Sequence, residues 1–180
     1  MGKTKINFPN YASEMIQILK EGRVLLVGQG KDGKPNPMTI AWGAMMFAWN
    51  KPVFVAMVRN SRYTYKLMEE SNTFTINFLG KEYHKELSLC GTKSGFNVDK
   101  WKETKLTPVN AKTVETKIIE EAFLNIECKV IFTNDMNYED LNKTIIEQHY
   151  QKHISGKTSH KFYYGEILEM YGDTTKIKKT

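Results

Sequence analysis

The chain has 180 residues, 41% of them apolar and 26% charged, with a net charge of +6. That length and balance specify one globular domain, residues 1–180, able to bury a core without metal or disulfide staples, and they exclude collagenous, low-complexity and disulfide-scaffold proteins. Only two cysteines, no apolar run of membrane-spanning length and an N-terminal MGKTKINFPN without a signal's apolar core lead us to expect a cytoplasmic protein with no membrane partner.

From Tyr11 to Lys20, Met15, Ile16, Ile18 and Leu19 recur at helical spacing, and Gly22 supplies the stop. Arg23–Val27 (RVLLV) reads as a strand. Gly28-Gln29-Gly30-Lys31-Asp32-Gly33 then matches GxGxxG, a pattern shared with dinucleotide-binding folds. That fingerprint needs a helix at the turn and an acid some twenty residues on. Pro35 and Pro37 forbid the helix, and the acid is missing, so GKDGK is read as a β-hairpin turn returning through Asn36–Trp42. Gly43–Trp49 (GAMMFAW) is uniformly apolar; it is expected to be a buried loop over the core, with a contact between subunits as the alternative.

Val53–Val58 is a short apolar, partly β-branched strand. From Ser61 the period changes to that of a helix, closing at Glu69-Glu70-Ser71-Asn72, and Thr73–Phe78 returns as a strand. Arg59, Ser61, Arg62 and Thr64 therefore stand where the first N–H groups of a helix are unpaired, a place that suits an anion. No Asp or Glu occurs from Lys34 through Met68, whereas Lys34, Lys51, Arg59, Arg62 and Lys66 do. The competing reading makes Ser61 a simple cap, with both arginines solvated or paired to Glu69 and Glu70.

Lys81–Leu89 reads as a polar helix with Tyr83 and Leu87 turned inward. The loop Cys90-Gly91-Thr92-Lys93-Ser94-Gly95 follows, its glycines permitting close backbone approach to a ligand. A thiol nucleophile needs a base, and only His84 is near in sequence, so Cys90 is expected to be a small packed side chain. Leu124–Phe132 alternates, with Leu124, Ile126, Cys128, Val130 and Phe132 on one face and Asn125, Glu127 and Lys129 opposite, as in a half-buried antiparallel strand. Leu141–Tyr150 is a further helical stretch. His149 and His153 have metal-ligand spacing without an intervening glutamate or a thiolate, and no metal is expected. Phe162–Tyr171 closes the fold, Gly165 marking a bulge. Strands near residues 23, 37, 53, 73, 124 and 162 with scattered helices make a mostly β, α+β antiparallel barrel.

In order, NPMTIAW, VFVAMVRNSRYTYKLMEES, FTINF, LCGTKSG followed by VDK, IIEEAFLNIECKV and a terminal YGEI resemble the flavin reductase-like family, which includes flavoredoxins and FMN-binding split-barrel proteins. The resemblance runs from residue 20 to residue 171 and implies a split β-barrel, a homodimer and one FMN per subunit near the interface. It further implies electrons drawn from NADH or NADPH, or from a protein donor, for a flavin, metal or protein acceptor. By position, Arg59, Ser61, Arg62 and Thr64 resemble the phosphate loop, and Met38, Thr39, Ile40, Ala41 and Trp42 the segment bordering the isoalloxazine and ribityl chain. Asn77 and Phe78 resemble a contact after the return strand, Cys90, Lys93, Ser94 and Gly95 the glycine loop beside the ring, and Phe162 an aromatic covering the flavin. Ala41 stands where the family often has Ser, removing one hydroxyl contact, and Met45-Met46-Phe47-Ala48-Trp49 is more apolar than in many members.

The leading expectation is an FMN-dependent oxidoreductase, either an NAD(P)H:flavin reductase or a flavoredoxin-type electron-transfer protein. Such a protein needs no acid, base or nucleophile of its own, and no catalytic side chain is assigned. A non-catalytic FMN carrier or sensor is the alternative. A nucleic-acid-binding barrel is disfavoured, because the basic residues are not interleaved with aromatics along a strand face.

Overall fold

In the computed structural model, which describes residues 2–151 and 158–177, the turn after Gln29 folds as the prolines require. Strands β1 (Thr4–Lys5), β2 (Val24–Gln29) and β3 (Pro35–Ile40) flank helix α1 (Ala12–Lys20) and the hairpin, in which Gly33 takes φ +76°. Val24 pairs with Ile40 and Gln29 with Pro35. Proline has no N–H to give a ladder, so Pro35 and Pro37 fit β3 because it lies at the sheet edge, paired only with β2. Their outward carbonyls are taken by side chains instead: Trp101 Nε1 donates to Pro35 O at 2.8 Å and Lys100 Nζ to Pro37 O at 2.9 Å.

The chain continues through β4 (Gly43–Ala48), β5 (Lys51–Arg59), α2 (Tyr63–Glu70), β6 (Thr73–Phe78), α3 (His84–Thr92), α4 (Lys100–Glu103), β7 (Pro108–Val109), β8 (Ile118–Ile119), β9 (Leu124–Asp135), α5 (Lys143–His149), β10 (His160–Gly172) and α6 (Thr174–Ile177). One antiparallel sheet runs β3-β2-β6-β9-β10-β5-β4, with β1 also on β10, and β7 and β8 form a separate pair. The path does not close on itself, so the expected barrel is split.

Gly43–Trp49 is not a buried loop. It is the other edge strand, paired with β5 from Gly43↔Ala56 to Ala48↔Lys51, and its tip turns through Trp49 and Asn50, at φ 50° and 60°. Phe47 on this strand is 63% exposed and Trp49 in the turn 60% exposed, despite an apolar sequence.

Two cores flank the sheet. Val24 and Leu26 face one, with Met15, Ile18, Phe54, Phe74 and Ile126; Leu25 and Val27 face the other, with Leu79, Leu87, Cys90 and Ile119. That double burial explains the unbroken apolar run of β2. It also corrects the half-buried reading of β9. Asn125 and Glu127 are as buried as their neighbours, because the segment carrying β7 and β8 covers them. Asn125 Nδ2 donates to Asn77 Oδ1 at 2.8 Å and Ile119 O at 3.2 Å, and only from Lys129 onward does β9 meet solvent on that face.

The ladder between β9 and β10 shifts register at Tyr164/Gly165, the bulge that the glycine signalled. A Cβ at Gly165 would lie 2.5 Å from Phe74 Cζ and 2.8 Å from Cys128 Cβ. Gly165→Val should therefore destabilise the fold by about 1–3 kcal/mol through overpacking. Urea denaturation measures this, and an unchanged midpoint would show that the bulge relaxes freely.

Candidate functional site

Helix α2 begins at Tyr63, two residues later than the change of period indicates, and Ser61 does not cap it. Arg62 holds the N-cap position with extended backbone and makes no side-chain cap bond. Neither acid at the far end serves the arginines. Glu69 accepts from Lys161 Nζ at 2.9 Å and from Tyr163 OH at 2.7 Å, and Glu70 accepts from the Lys31 backbone and pairs with Lys66 at 3.9 Å. Among the described residues Arg62 has no carboxylate partner. Thr64 is buried where α2 crosses β2, an approach that Gly28 allows, since a Cβ there would sit 2.9 Å from Thr64 Cγ2. Asn36 Nδ2 donates to Thr64 Oγ1 at 2.8 Å, which leaves the threonine's own hydrogen to donate.

The facing wall comes from the end of α3. Cys90, Gly91 and Thr92 are its last turn rather than a loop, which starts at Lys93. Gly91 lies against β3, where a Cβ would stand 3.3 Å from Thr39 Cβ, and Gly95 fits beneath Asn36 and Tyr63, where a Cβ would clash. Burial pushes the Cys90 thiol up to about 11, so it is a protonated core side chain at neutral pH. Lys100, unnoticed in the sequence, enters here with its ammonium on Pro37 O and Cys90 O, at 2.9 and 2.8 Å. Burial, with the like charge of Arg62 adding, holds it down at about 8.

These parts enclose a narrow recess of about 20 Å³ between β3, the start of α2 and the end of α3. Met38, Thr39 and Arg62 are shared with an adjoining groove of about 230 Å³ along Met38–Trp42, walled by Met57, Arg59 and His160. Among the described residues neither lining contains an Asp or a Glu. At the outer end Trp42 packs against His149, Tyr150 and His160, at ring distances of 5.3, 6.3 and 5.4 Å, and Tyr150 OH meets His160 Nδ1 at 2.8 Å. The Arg59 guanidinium lies 5.6 Å from the Tyr150 ring.

Of the residues read from sequence, the fold brings together Met38, Thr39, Ile40, Ala41, Trp42, Arg59, Arg62, Thr64, Cys90, Lys93, Ser94 and Gly95. Arg59 lines the groove and not the recess, so the two arginines meet at the groove and only Arg62 reaches the recess. Ser61 is exposed and lines neither cavity. Asn77 and Phe78 are fully buried elsewhere. Asn77 donates to Leu25 O and Thr75 Oγ1 and accepts from Ile119 N and Asn125, which uses all four of its hydrogen-bonding positions. Phe162, paired with Met57 and Asn134 on β10, also lines neither cavity. His153 lies outside the described residues. His160 and Lys100 are the groups that sequence reading missed; VDK was the only local trace of Lys100, and His160 left none.

A profile of the flavin reductase like domain matches residues 20–178. The chain is 31% identical over 117 residues to an uncharacterized protein of Archaeoglobus fulgidus, and the alignment spans 65% of each chain. It is 32% identical over 122 residues to one of Pyrococcus abyssi, 68% of this chain and 69% of that one. Thus under two thirds of the Archaeoglobus protein's length is matched. Among solved structures, a flavoredoxin from Methanosarcina acetivorans has a TM-score of 0.64 at 27% identity, covering 83% of this chain and 67% of that one. A flavoredoxin of Desulfovibrio vulgaris has a TM-score of 0.65 at 24% identity, with 84% and 69% covered, and at that identity the likeness is one of fold. The same holds for an FMN-binding domain of a flavin reductases-like enzyme from Shewanella baltica, with a TM-score of 0.66, 14% identity and 96% and 78% covered. With its open antiparallel sheet and a match over residues 20–178, the chain belongs to the flavin reductase-like domain family.

Proposed function

We propose that the protein binds FMN and is an FMN-dependent oxidoreductase, drawing electrons from NADH or NADPH, or from a protein donor, for a flavin, metal or protein acceptor. One observation carries this reading: Arg59, Arg62, Lys93 and Lys100 stand around two adjoining cavities whose linings, among the described residues, hold no carboxylate. The donor set fits a phosphate ester. Arg62, the Thr64 hydroxyl and the uncapped start of α2 converge on the recess, where an anion is favoured by the helix dipole and by charge-assisted hydrogen bonds. The groove fits a flat ring. Met38, Ile40 and Met57 offer apolar surface, Trp42 and His160 close its far end, and Arg59 adds positive charge. When bound, FMN supplies a ring that takes two electrons from a reduced nicotinamide and passes them on. The chain's own part is to hold and orient that ring, and its cationic lining stabilises negative charge placed against it.

Purified protein should be yellow, with FMN as the released chromophore, and anaerobic NADH or NADPH should bleach the visible band. A colourless protein that takes up no FMN overturns the reading. A yellow protein that neither nucleotide bleaches favours the carrier or the protein-fed electron-transfer role.

As our own assignment, a contact between two copies of the chain is set at the solvent face around the β4–β5 tip, where Trp49 and Phe132 pack with ring centroids 6.0 Å apart and both remain exposed; this face lies at the other end of the hairpin from the groove, unlike the interface that the family resemblance implies. Trp49→Glu should lower the mass measured by light scattering from dimer to monomer. A wild-type monomer would remove this assignment.

A further inference from the structure

Lys100 is 4% exposed, yet its side chain makes no ion pair among the described residues. Its neighbour Asp99 is directed elsewhere, accepting from Trp101 N at 3.1 Å and lying 3.6 Å from Lys102 Nζ. An ammonium has three hydrogens. Two are taken by Pro37 O and Cys90 O, which leaves one for the recess that Lys100 lines with Arg62, Thr64 and Ser94. Buried charges are ordinarily paired, and one set beside a second cation is electrostatically incomplete until an anion joins it. We propose that Lys100 is a phosphate-binding residue whose buried ammonium makes the site select phosphorylated flavin over riboflavin. The inference rests on the FMN reading above and adds a residue and a selectivity to it. Because the charge sits on a rigid edge between β3 and α3, it is in place before the ligand arrives, unlike the exposed Lys93, and no side-chain ordering opposes binding.

The test compares FMN and riboflavin binding, by quenching of flavin fluorescence, in wild type, Lys100→Met and Lys93→Met. Lys100→Met should lose about tenfold to a hundredfold in FMN affinity and change for riboflavin by less than about twofold. Equal loss for both flavins means that the ammonium only clamps β3 to α3, and no loss for either means that it does not reach the phosphate; both results overturn the proposal. A wild type that binds neither flavin overturns the FMN reading itself.

A second measurement does not depend on Lys100→Met folding. The groups lining cavities with Lys100 are Lys34 just before β3, Arg62 and Tyr63 from α2, Cys90 from α3, Lys93 and Ser94 from the following loop, and Asp99 beside it. The ammonium binds phosphate only when protonated, so the preference of wild type for FMN over riboflavin should fall as pH rises through about 8. The same fall should appear in Lys93→Met. A preference that stays flat in wild type across that range overturns the proposal.

Discussion

Arg62→Ala should weaken FMN binding by about tenfold to a hundredfold and leave riboflavin affinity within about twofold. Arg62 occupies the N-cap of α2, has no acid partner among the described residues, and is shared by the recess and the groove. A guanidinium so placed can fork onto phosphate oxygens with little competition from protein groups, and losing one charge-assisted pair costs about 1.5–3 kcal/mol. The neighbouring Ser61, exposed and outside both cavities, serves as the control: Ser61→Ala should leave FMN affinity unchanged. Isothermal titration with the two flavins measures all of this. If Arg62→Ala bound FMN as wild type does, the anion would have to sit elsewhere, and Arg59 in the groove would be the residue to examine.

Glu127→Ala should destabilise the protein by about 3 kcal/mol or more. Glu127 is fully buried on β9, and its carboxylate accepts from Lys112 N at 2.9 Å, Thr113 N and Thr113 Oγ1 at 2.6 Å, and Tyr171 OH at 2.8 Å. Alanine leaves these donors to find water or go unmet. Burial acts to raise the carboxyl's pKa, but the bonds from Lys112, Thr113 and Tyr171 outweigh it, and the net shift is downward. A carboxyl whose folded pKa lies below its unfolded one stabilises the fold above the unfolded value and loses that contribution as pH falls through the folded one. Wild type should therefore show an acid-side loss of stability that Glu127→Ala lacks, read from urea midpoints across the carboxylate range. A midpoint change worth under about 1 kcal/mol in the variant would mean that water replaces the carboxylate well.

Glu127 also shows where sequence and fold part company. In sequence, Asn125 and Glu127 alternate with Leu124, Ile126 and Cys128, and polar residues at every second position ordinarily face solvent. Nothing local reveals that residues 104–122 fold back over that face, because the covering contacts are long-range and each polar group is satisfied only once they form. The β2–β3 turn, α1, α2 and the Gly165 bulge were legible, since proline, glycine and periodicity act within a few residues. β4 was missed because Gly-Ala-Met-Met-Phe-Ala does not alternate. At the site, Arg62, Thr64 and the β3 segment could be read from a helix start and an acid-free flank. Lys100 acquires its chemistry only when α4 packs under α3 and β3, and its three-residue context carries no period from which that could be foreseen.

The two borders of the sheet are unlike, and this has a consequence for assembly. Along β3, imino acids and the plugs supplied by Trp101 and Lys100 leave little for an incoming chain to zip onto, whereas β4, among the described residues, pairs with β5 alone and carries exposed rings at its end. Molecules sticky at both borders can string into fibrils without limit. A molecule sticky at one can only meet a twin and stop, so the prolines that rule out a Rossmann turn also cap the growth of any edge-to-edge aggregate.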